Sequence, residues 1–331
     1  MARVFKDADA PLEVLAGRRV AVIGYGNQGR SWALNLRDSG LDVTVGTISD
    51  ASRDAAAGDG FPATDVADGV RDAGVVCLLI PDEVMGQVVA ESVAPNLEAG
   101  DALVFASGYA VAFGEVAVPD GVDVVMVAPR MLGVGVRETF ESGEGYIAFA
   151  GVETDATGEA WPVCLAIGRG IGATRRGCLE MAFHQEAVID LFMEQGIAPA
   201  LARVWGDGAA ALLEAGLPIE AILVEFVLSG EVERTYRALR EIGYARQAKL
   251  HSQTSQYGTL SRAERFADLD VASRMRETVR EISSGEFATE WAAEREAGYP
   301  KLKALEESGA FGAIAGLQDQ VRAMFDTDEP E

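Results

Sequence analysis

One short segment constrains the fold of this chain more than any other. An apolar run at residues 19–23 leads into Gly24-Tyr25-Gly26-Asn27-Gln28-Gly29, and a helical stretch follows as far as Ser39. A Gly-x-Gly-x-x-Gly sequence between a buried strand and a helix is typical of dinucleotide-binding domains. Its glycines permit the tight turn, the approach of the backbone to a pyrophosphate, and close packing of helix on strand. We therefore expect a dinucleotide to bind at these six residues. The alternative is a glycine-rich turn without a ligand.

Strand-like and helix-like segments alternate through the first half of the chain. Short apolar runs at residues 41–46, 75–80, 102–106, 122–128 and 146–151 are typical of buried strands. This alternation predicts an α/β fold with a doubly wound parallel sheet. Beyond residue 180 the periodicity is helical, at 182–196, 219–242, 270–284 and 288–297. We predict a Rossmann domain over residues 1–180, an all-helical domain over 181–325, and a disordered acidic tail over 326–331.

The charge of the chain excludes some partners. The formal net charge is −24, and only four residues are lysine. Such a surface repels phosphate backbones and anionic lipids, so we expect neither nucleic acid nor a membrane as partner. A GC-rich genome and adaptation to high salt both account for this composition.

Cys77, Cys164 and Cys178 lie in apolar stretches without a Cys-x-x-Cys spacing. We expect buried free thiols and, since the N-terminus lacks the apolar run of a signal peptide, a cytoplasmic location.

The segment after the second predicted strand bears on the choice of cofactor. An acidic residue there receives the ribose hydroxyls of NADH, whereas a basic cluster receives the 2′-phosphate of NADPH. Residues 46–53 read Gly-Thr-Ile-Ser-Asp-Ala-Ser-Arg. Asp50 favours NADH, but Ser49, Ser52 and Arg53 could hold a phosphate. We predict a preference for NADH and leave NADPH open.

Several strings, in order, resemble ketol-acid reductoisomerase. They are VAVIGYGNQGRSWALNLRDSGLDVTVG, LLIPDEVM, VDVVMVAPR, IDLFMEQ, HSQTSQYG and GEFATEWAAEREAGYPKLKAL, between residue 4 and about residue 305. The resemblance, to the short form of that family, implies NAD(P)H-dependent reduction and magnesium-assisted alkyl migration of 2-aceto-2-hydroxy acids in branched-chain amino-acid synthesis. It also implies a knotted helical domain that pairs into a homodimer or larger homo-oligomer. Among the residues it assigns to cofactor binding are Pro81, Asp82 and Gly133.

The resemblance also implies a magnesium site. Asp190 and Glu194 match the first metal ligands of the family, and a spacing of four places both on one face of a helix. Glu231 matches the second member of a later glutamate pair, but the first member falls on Val227, which cannot bind a metal. Ser252 matches a substrate-binding serine. The family implies that Glu231 and Ser252 come from the partner subunit. For Asp190 and Glu194, the alternative to metal binding is a solvated acidic helix face.

Two further departures concern the catalytic residues that the resemblance implies. Ser107 stands in place of the family's catalytic histidine, and Arg130 in place of a lysine near the metal-bound waters. Arginine is always charged and cannot transfer protons as lysine can. The leading interpretation is a ketol-acid reductoisomerase. The alternative is a reductase of another small keto acid or imine that has lost the isomerase step, and a cofactor-binding regulator without catalysis is a third hypothesis.

Overall fold

A computed structural model describes residues 2–307 and 312–325, and the expected acidic tail at residues 326–331 lies outside these ranges. The chain divides into two compact units, of which the first ends at Asp190 and the second begins at Leu191.

The first unit is built on a sheet of short strands. Its described strands are β1 Val4–Phe5, β2 Val20–Ile23, β3 Val43–Gly46, β4 Ala63–Thr64, β5 Val75–Leu78, β6 Ala102–Phe105, β7 Asp123–Pro129, β8 Ile147–Thr154 and β9 Gly177–Glu180. Their order across the sheet is β1-β9-β8-β7-β6-β5-β2-β3-β4. The expected α/β fold with a Rossmann-type sheet is confirmed. The sheet is mixed rather than wholly parallel, because β1 pairs antiparallel with β9 and β7 with β8.

The helices of the first unit cover both faces of the sheet. They are α1 Asn27–Asp38, α2 Ala51–Gly58, α3 Val66–Val70, α4 Asp82–Val88, α5 Tyr109–Ala112, α6 Gly133–Glu141, α7 Ala160–Gly170 and α8 Phe183–Phe192. Trp32 of α1 and Ile167 of α7 are buried in one apolar cluster, and Met85 of α4 and Phe183 of α8 in another. Burial on both faces is why the central strands are unbroken apolar runs. The three cysteines are buried and free, as expected.

The division between the units falls later than residue 180, where the periodicity changes. Phe183 is buried, and its ring packs edge-on against Phe105 of β6 with ring centroids 6.1 Å apart. A Cβ atom built at Gly108 would overlap the carbonyl oxygen of Phe183 and lie 2.8 Å from its carbon. The first turns of α8 therefore belong to the first unit by packing, although their sequence pattern is helical.

The second unit is helical throughout its described residues. After the π-helical turn Met193–Ile197 come α9 Ala198–Glu214, α10 Ile219–Leu223, the π-helical turn Val224–Leu228, α11 Glu231–Ile242, α12 Tyr244–Ala248, α13 Gln253–Arg262, α14 Val271–Ser283, α15 Glu286–Glu296, α16 Pro300–Glu307 and α17 Gly312–Ala323. The single helix predicted over residues 219–242 is interrupted, because Gly230 adopts a left-handed conformation with φ of 74°. Across the described ranges, no helix has both the length and the apolar character needed to cross a bilayer.

Candidate active site

The glycine-rich turn has the geometry of a pyrophosphate-binding loop. Gly24 has φ of +93°, and a Cβ atom there would lie 2.5 Å from the carbonyl oxygen of Leu79. A Cβ atom at Gly29 would lie 2.8 Å from the carbonyl carbon of Gly24, so α1 and the turn require glycine at both positions. At Gly26, by contrast, a Cβ atom would have no described atom within 4 Å beyond its own chain neighbours. Gly26 precedes α1, so this open space lies where helix N–H groups can receive a phosphate.

The other residues of the turn differ in role. The side chain of Gln28 donates a hydrogen bond to the Met131 carbonyl oxygen at 3.1 Å. The phenol of Tyr25 is buried and donates to Asp59 at 2.9 Å, and burial together with that carboxylate raises the pKa of Tyr25. Its side chain therefore supports the fold beneath the turn. Gly133 begins α6 and packs so closely on α1 that a Cβ atom would lie 2.5 Å from the carbonyl carbon of Asn27.

The loop after β3 carries one acidic side chain, Asp50, and leads to one basic side chain, Arg53, that is already hydrogen-bonded within the protein. Asp50 is the N-cap residue of α2, and its Oδ1 accepts hydrogen bonds from the amide of Ser52 at 2.9 Å and the hydroxyl of Ser52 at 2.5 Å. These two hydrogen bonds lower the pKa of Asp50. The Arg53 guanidinium forms an ion pair with Asp65 and donates to the Thr47 carbonyl oxygen at 2.7 Å. Ser49 is exposed.

A cleft of about 310 Å³ opens at the carboxyl ends of the central strands. It lies beside the point where the strand order reverses between β2 and β5, which is where ligands bind in open α/β sheets. Six of the sequence-predicted site residues line it: Gln28, Pro81, Asp82, Ser107, Arg130 and Asp190. The hydroxyl of Ser107 accepts a hydrogen bond from the Tyr109 amide at 3.2 Å.

Glu186 lines the same cleft, and the sequence analysis missed it. Its side chain is only 1% exposed, accepts a hydrogen bond from the Gly108 amide at 2.6 Å, and forms an ion pair with Arg130 at 3.0 Å. Burial raises the pKa of Glu186 to about 7, against the lowering effect of the Gly108 amide. Glu186 precedes Asp190 by four residues, so the two share one face of α8. That spacing was the available signal, but in so acidic a chain it resembles a solvated surface.

Arg130 contacts two carboxylates of the cleft, those of Glu186 and Asp190. Its guanidinium donates to Glu186 and to Asp190, and lies over the ring of Phe149 at 5.1 Å from the centroid. Planar, forked donors suit two carboxylates at once, and the charge is permanent. Arg130 therefore supplies a fixed positive charge at the position where the family has a lysine.

The predicted magnesium ligands are distributed over three elements. Asp190 lies in α8, Glu194 in the following π-helical turn, and Glu231 is the exposed first residue of α11. Over residues 2–307 and 312–325, no three His, Cys, Asp or Glu side chains are grouped so as to hold a metal ion. Carboxylate oxygens are the ligands that magnesium prefers.

Ser252 and His251 belong to the second unit, and His184 belongs to the first. Ser252 is the N-cap residue of α13 and accepts a hydrogen bond from the Ser255 amide at 3.2 Å. The Nε2 atom of His251 lies 2.8 Å from the side-chain Nε2 atom of Gln247. His251 also lines a pocket within the second unit. In the first unit, the ring of His184 lies against that of Phe113, with centroids 6.0 Å apart.

The fold and the cleft define a class: an NAD(P)H-dependent oxidoreductase of the Rossmann type. Comparison with known proteins gives the family. Residues 14–177 match the family model described as acetohydroxy acid isomeroreductase, NADPH-binding domain, and residues 183–327 match ketol-acid reductoisomerase, C-terminal domain. The chain belongs to the ketol-acid reductoisomerase family.

Individual relatives agree with this membership. The chain is 43% identical over 317 residues to "Putative ketol-acid reductoisomerase 3" of Saccharolobus solfataricus, covering 95% of each chain. It is similar to the structure of an NADH-preferring ketol-acid reductoisomerase from an uncultured archaeon, with a TM-score of 0.92 and 32% identity over 98% of this chain and all of the other. A semialdehyde dehydrogenase NAD-binding protein from Cupriavidus necator shares the fold, with a TM-score of 0.55 and 17% identity over 79% of this chain and 99% of the other.

Proposed function

We propose that this protein catalyses the ketol-acid reductoisomerase reaction through the cleft that Ser107, Arg130, Glu186 and Asp190 form. In that reaction an alkyl group migrates within a 2-aceto-2-hydroxy acid, and NAD(P)H then reduces the resulting keto acid. The observation that carries the proposal is the position of these side chains in one cleft with Gln28 of the glycine-rich turn. A dinucleotide with its pyrophosphate at Gly26 has its nicotinamide end close to the carboxyl ends of β5 and β6. Family membership favours this reaction over a reductase without the isomerase step.

The charges of the cleft support a requirement for magnesium. Glu186 and Asp190 are two acidic groups, and Arg130 is the one basic group among the residues that line the cleft. Asp82 adds a further acid, so an anionic 2-aceto-2-hydroxy acid entering the cleft meets a surplus of negative charge. A divalent cation offsets that surplus, and when bound it polarises the substrate carbonyl.

The proposed ligands of the cation are Asp190 and Glu194, completed in a homodimer by Glu231 of the partner subunit, with Ser252 of the partner subunit binding the substrate. What supports the proposal is that the Asp190 carboxylate lies in the cleft, where the Arg130 guanidinium contacts it. Arg130 would then hold Asp190 in place and take the role of a fixed charge. Light scattering of the protein with and without magnesium would test the homodimer.

Asp190→Asn tests the metal proposal, because it keeps the shape of the side chain and removes its charge. We expect the variant to need at least tenfold more magnesium for half-maximal activity and to lose at least about tenfold in kcat, because mutation even of groups that only support metal ligands typically costs about 10- to 100-fold. The control is Asp207→Asn, which removes an exposed acid paired with Arg203 on α9. Full activity of the wild type with a chelator, or an unchanged magnesium requirement in Asp190→Asn, would contradict the proposal.

The proposed cofactor preference is for NADH. The negative charge of Asp50 and the hydrogen bond that occupies the Ser52 hydroxyl support it. The match to an NADH-preferring relative also supports a preference for NADH. The N-terminal family model, by contrast, is described as NADPH-binding. The check is the ratio of kcat/KM for the two cofactors in one buffer. We expect NADH to be favoured, and a tenfold advantage for NADPH would overturn the proposal.

We also propose a cytoplasmic location, which the three free, buried cysteines support.

A further inference from the structure

Arg53 is the one basic side chain of the loop that selects the cofactor, and its surroundings are unusual. It stands in the first turn of α2, three residues after the N-cap Asp50. In that position a guanidinium is a natural receptor for a 2′-phosphate. Yet two of its three nitrogens are engaged elsewhere. Nε contacts the Thr47 hydroxyl at 3.5 Å, and Nη2 contacts both the Thr47 carbonyl oxygen, at 2.7 Å, and a carboxylate oxygen of Asp65.

The sheet fixes where Asp65 lies. Strand β4 pairs parallel with β3, with Thr64 opposite Gly46, and the Thr47 amide donates to the Thr64 carbonyl oxygen at 3.0 Å. The residue after each strand, Thr47 and Asp65, therefore lies at the same edge of the sheet. Arg53 spans the two, with a side chain only one quarter exposed.

The carboxylate of Asp65 has no evident duty in folding. Asp65 is the N-cap residue of α3, but among the described residues its side chain makes no capping hydrogen bond, and it is 73% exposed. Among these residues, the one hydrogen-bonded contact of the Asp65 carboxylate is with Arg53. An exposed ion pair adds little stability, so a role for this carboxylate is better sought in what it does to Arg53.

We propose that Asp65 is a specificity-determining residue of the cofactor site, which acts by holding Arg53 in an ion pair and so denying it to the 2′-phosphate of NADPH. This inference rests on the proposed NADH preference and extends it to a residue outside the loop that follows β3. Asp50 and Asp65 together place two negative charges around a single positive one. A 2′-phosphate then meets net repulsion, whereas the two hydroxyls of an NADH ribose do not.

The experiment compares Asp65→Asn with the wild type at low ionic strength, where exposed charges are least screened. We expect the kcat/KM ratio of NADPH to NADH to rise about tenfold, through the KM for NADPH, with kcat and the NADH values nearly unchanged. The affinity for 2′-phospho-ADP-ribose, measured by calorimetry without turnover, is expected to rise by the same factor, and that for ADP-ribose to stay constant. Asp68→Asn is the matched control, since it removes a comparable exposed acid paired with Arg71 on the same helix.

The double variant Asp65→Asn with Arg53→Ala separates the freed guanidinium from simple loss of charge. We expect it to lose the gain in affinity for 2′-phospho-ADP-ribose. An unchanged ratio in Asp65→Asn, an equal gain in Asp68→Asn, or a gain that persists without Arg53 would overturn the inference. The wild-type ratio of NADPH to NADH is a separate result and tests only the proposed preference.

Discussion

At the scale of single residues, the glycines of the turn are each required for a different reason. Gly24 is needed for its positive φ and its contact with Leu79, and Gly29 for its contact with Gly24. Gly26 is different, because the protein itself leaves room for a side chain there. A residue that the fold tolerates and the ligand does not is the clearest probe of binding.

Gly26→Val is that probe. Its branched side chain would fill the space in which we place the pyrophosphate, whereas nothing in the described fold opposes it. We expect a normal melting temperature and at least a tenfold loss of affinity for NADH, measured by quenching of intrinsic fluorescence. Wild-type affinity in the folded variant would remove the turn from the cofactor site.

Glu186 gives a second residue-scale prediction, for the metal-free protein in a chelator. Its pKa in the folded protein is raised to about 7 from 4.5, so the fold favours the protonated acid. The stability that this provides is fully present below pH 4.5 and is lost as the pH rises through 7. Glu186→Gln, which cannot ionise, is expected to lack this loss, with a difference of at most about 3 kcal/mol between the two ends of that range. Denaturant unfolding of both proteins at several pH values is the measurement, and parallel pH profiles would contradict it.

At the scale of elements, the turn after β6 couples the sheet to α8. Gly108 contacts the backbone of Phe183 and donates its amide hydrogen to Glu186, so one residue sets the position of the two carboxylates that α8 contributes to the cleft. The start of α8 is thereby fixed against the carboxyl ends of the strands.

Gly108→Ala is expected to disturb both contacts, because its Cβ atom would overlap the Phe183 carbonyl group. We predict a loss of about 1 to 3 kcal/mol of stability, the usual cost of overpacking, together with a fall in kcat/KM. Gly58→Ala on α2 is the control. A Cβ atom there meets no described atom within 4 Å beyond its neighbours, and alanine is the better helix former, so its stability should be equal or slightly higher. Thermal melts followed by circular dichroism distinguish the two, and equal stability of Gly108→Ala and the wild type would contradict the coupling.

Some strands of the sheet could be predicted from the sequence and others could not. Strands β2, β3, β5, β6 and β7 were predicted because burial on both faces makes them continuous apolar runs. The pairs Val4–Phe5 and Ala63–Thr64 were not, since two residues carry no periodicity. The direction of β8 was also missed, because an apolar run has the same pattern in parallel and antiparallel pairing.

The site was predicted in the same uneven way. Ser107 and Arg130 were named because the family resemblance points to them, and both line the cleft near the carboxyl ends of β6 and β7. Glu186 could not be predicted, since its burial depends on the long-range packing of α8 on Gly108. The sequence left Arg53 open as a phosphate ligand. Its ion pair with Asp65 could not be predicted, because Asp65 is distant from the motif and reaches Arg53 only through the pairing of β3 with β4.

At the scale of the whole molecule, the net charge of −24 is the dominant property. Like charges destabilise the compact state, and salt screens them with a Debye length of about 10 Å at 0.1 M and about 3 Å at 1 M. Adaptation to high salt predicts that the melting temperature rises markedly from 0.1 M to about 1 M potassium chloride. A melting temperature that is independent of salt would favour genome composition as the cause of the scarcity of lysine.

The central claim is that the cleft performs both isomerisation and reduction. The most direct measurement is proton magnetic resonance of the product formed from 2-acetolactate, with NADH and magnesium, by the wild-type protein. Methyl migration before hydride transfer gives a dihydroxy acid with both methyl groups on one carbon, and we predict this product with one NADH consumed per molecule. A dihydroxy acid with its methyl groups on neighbouring carbons, or NADH oxidation with simple keto acids alone, would show a reductase without isomerase activity and contradict the account.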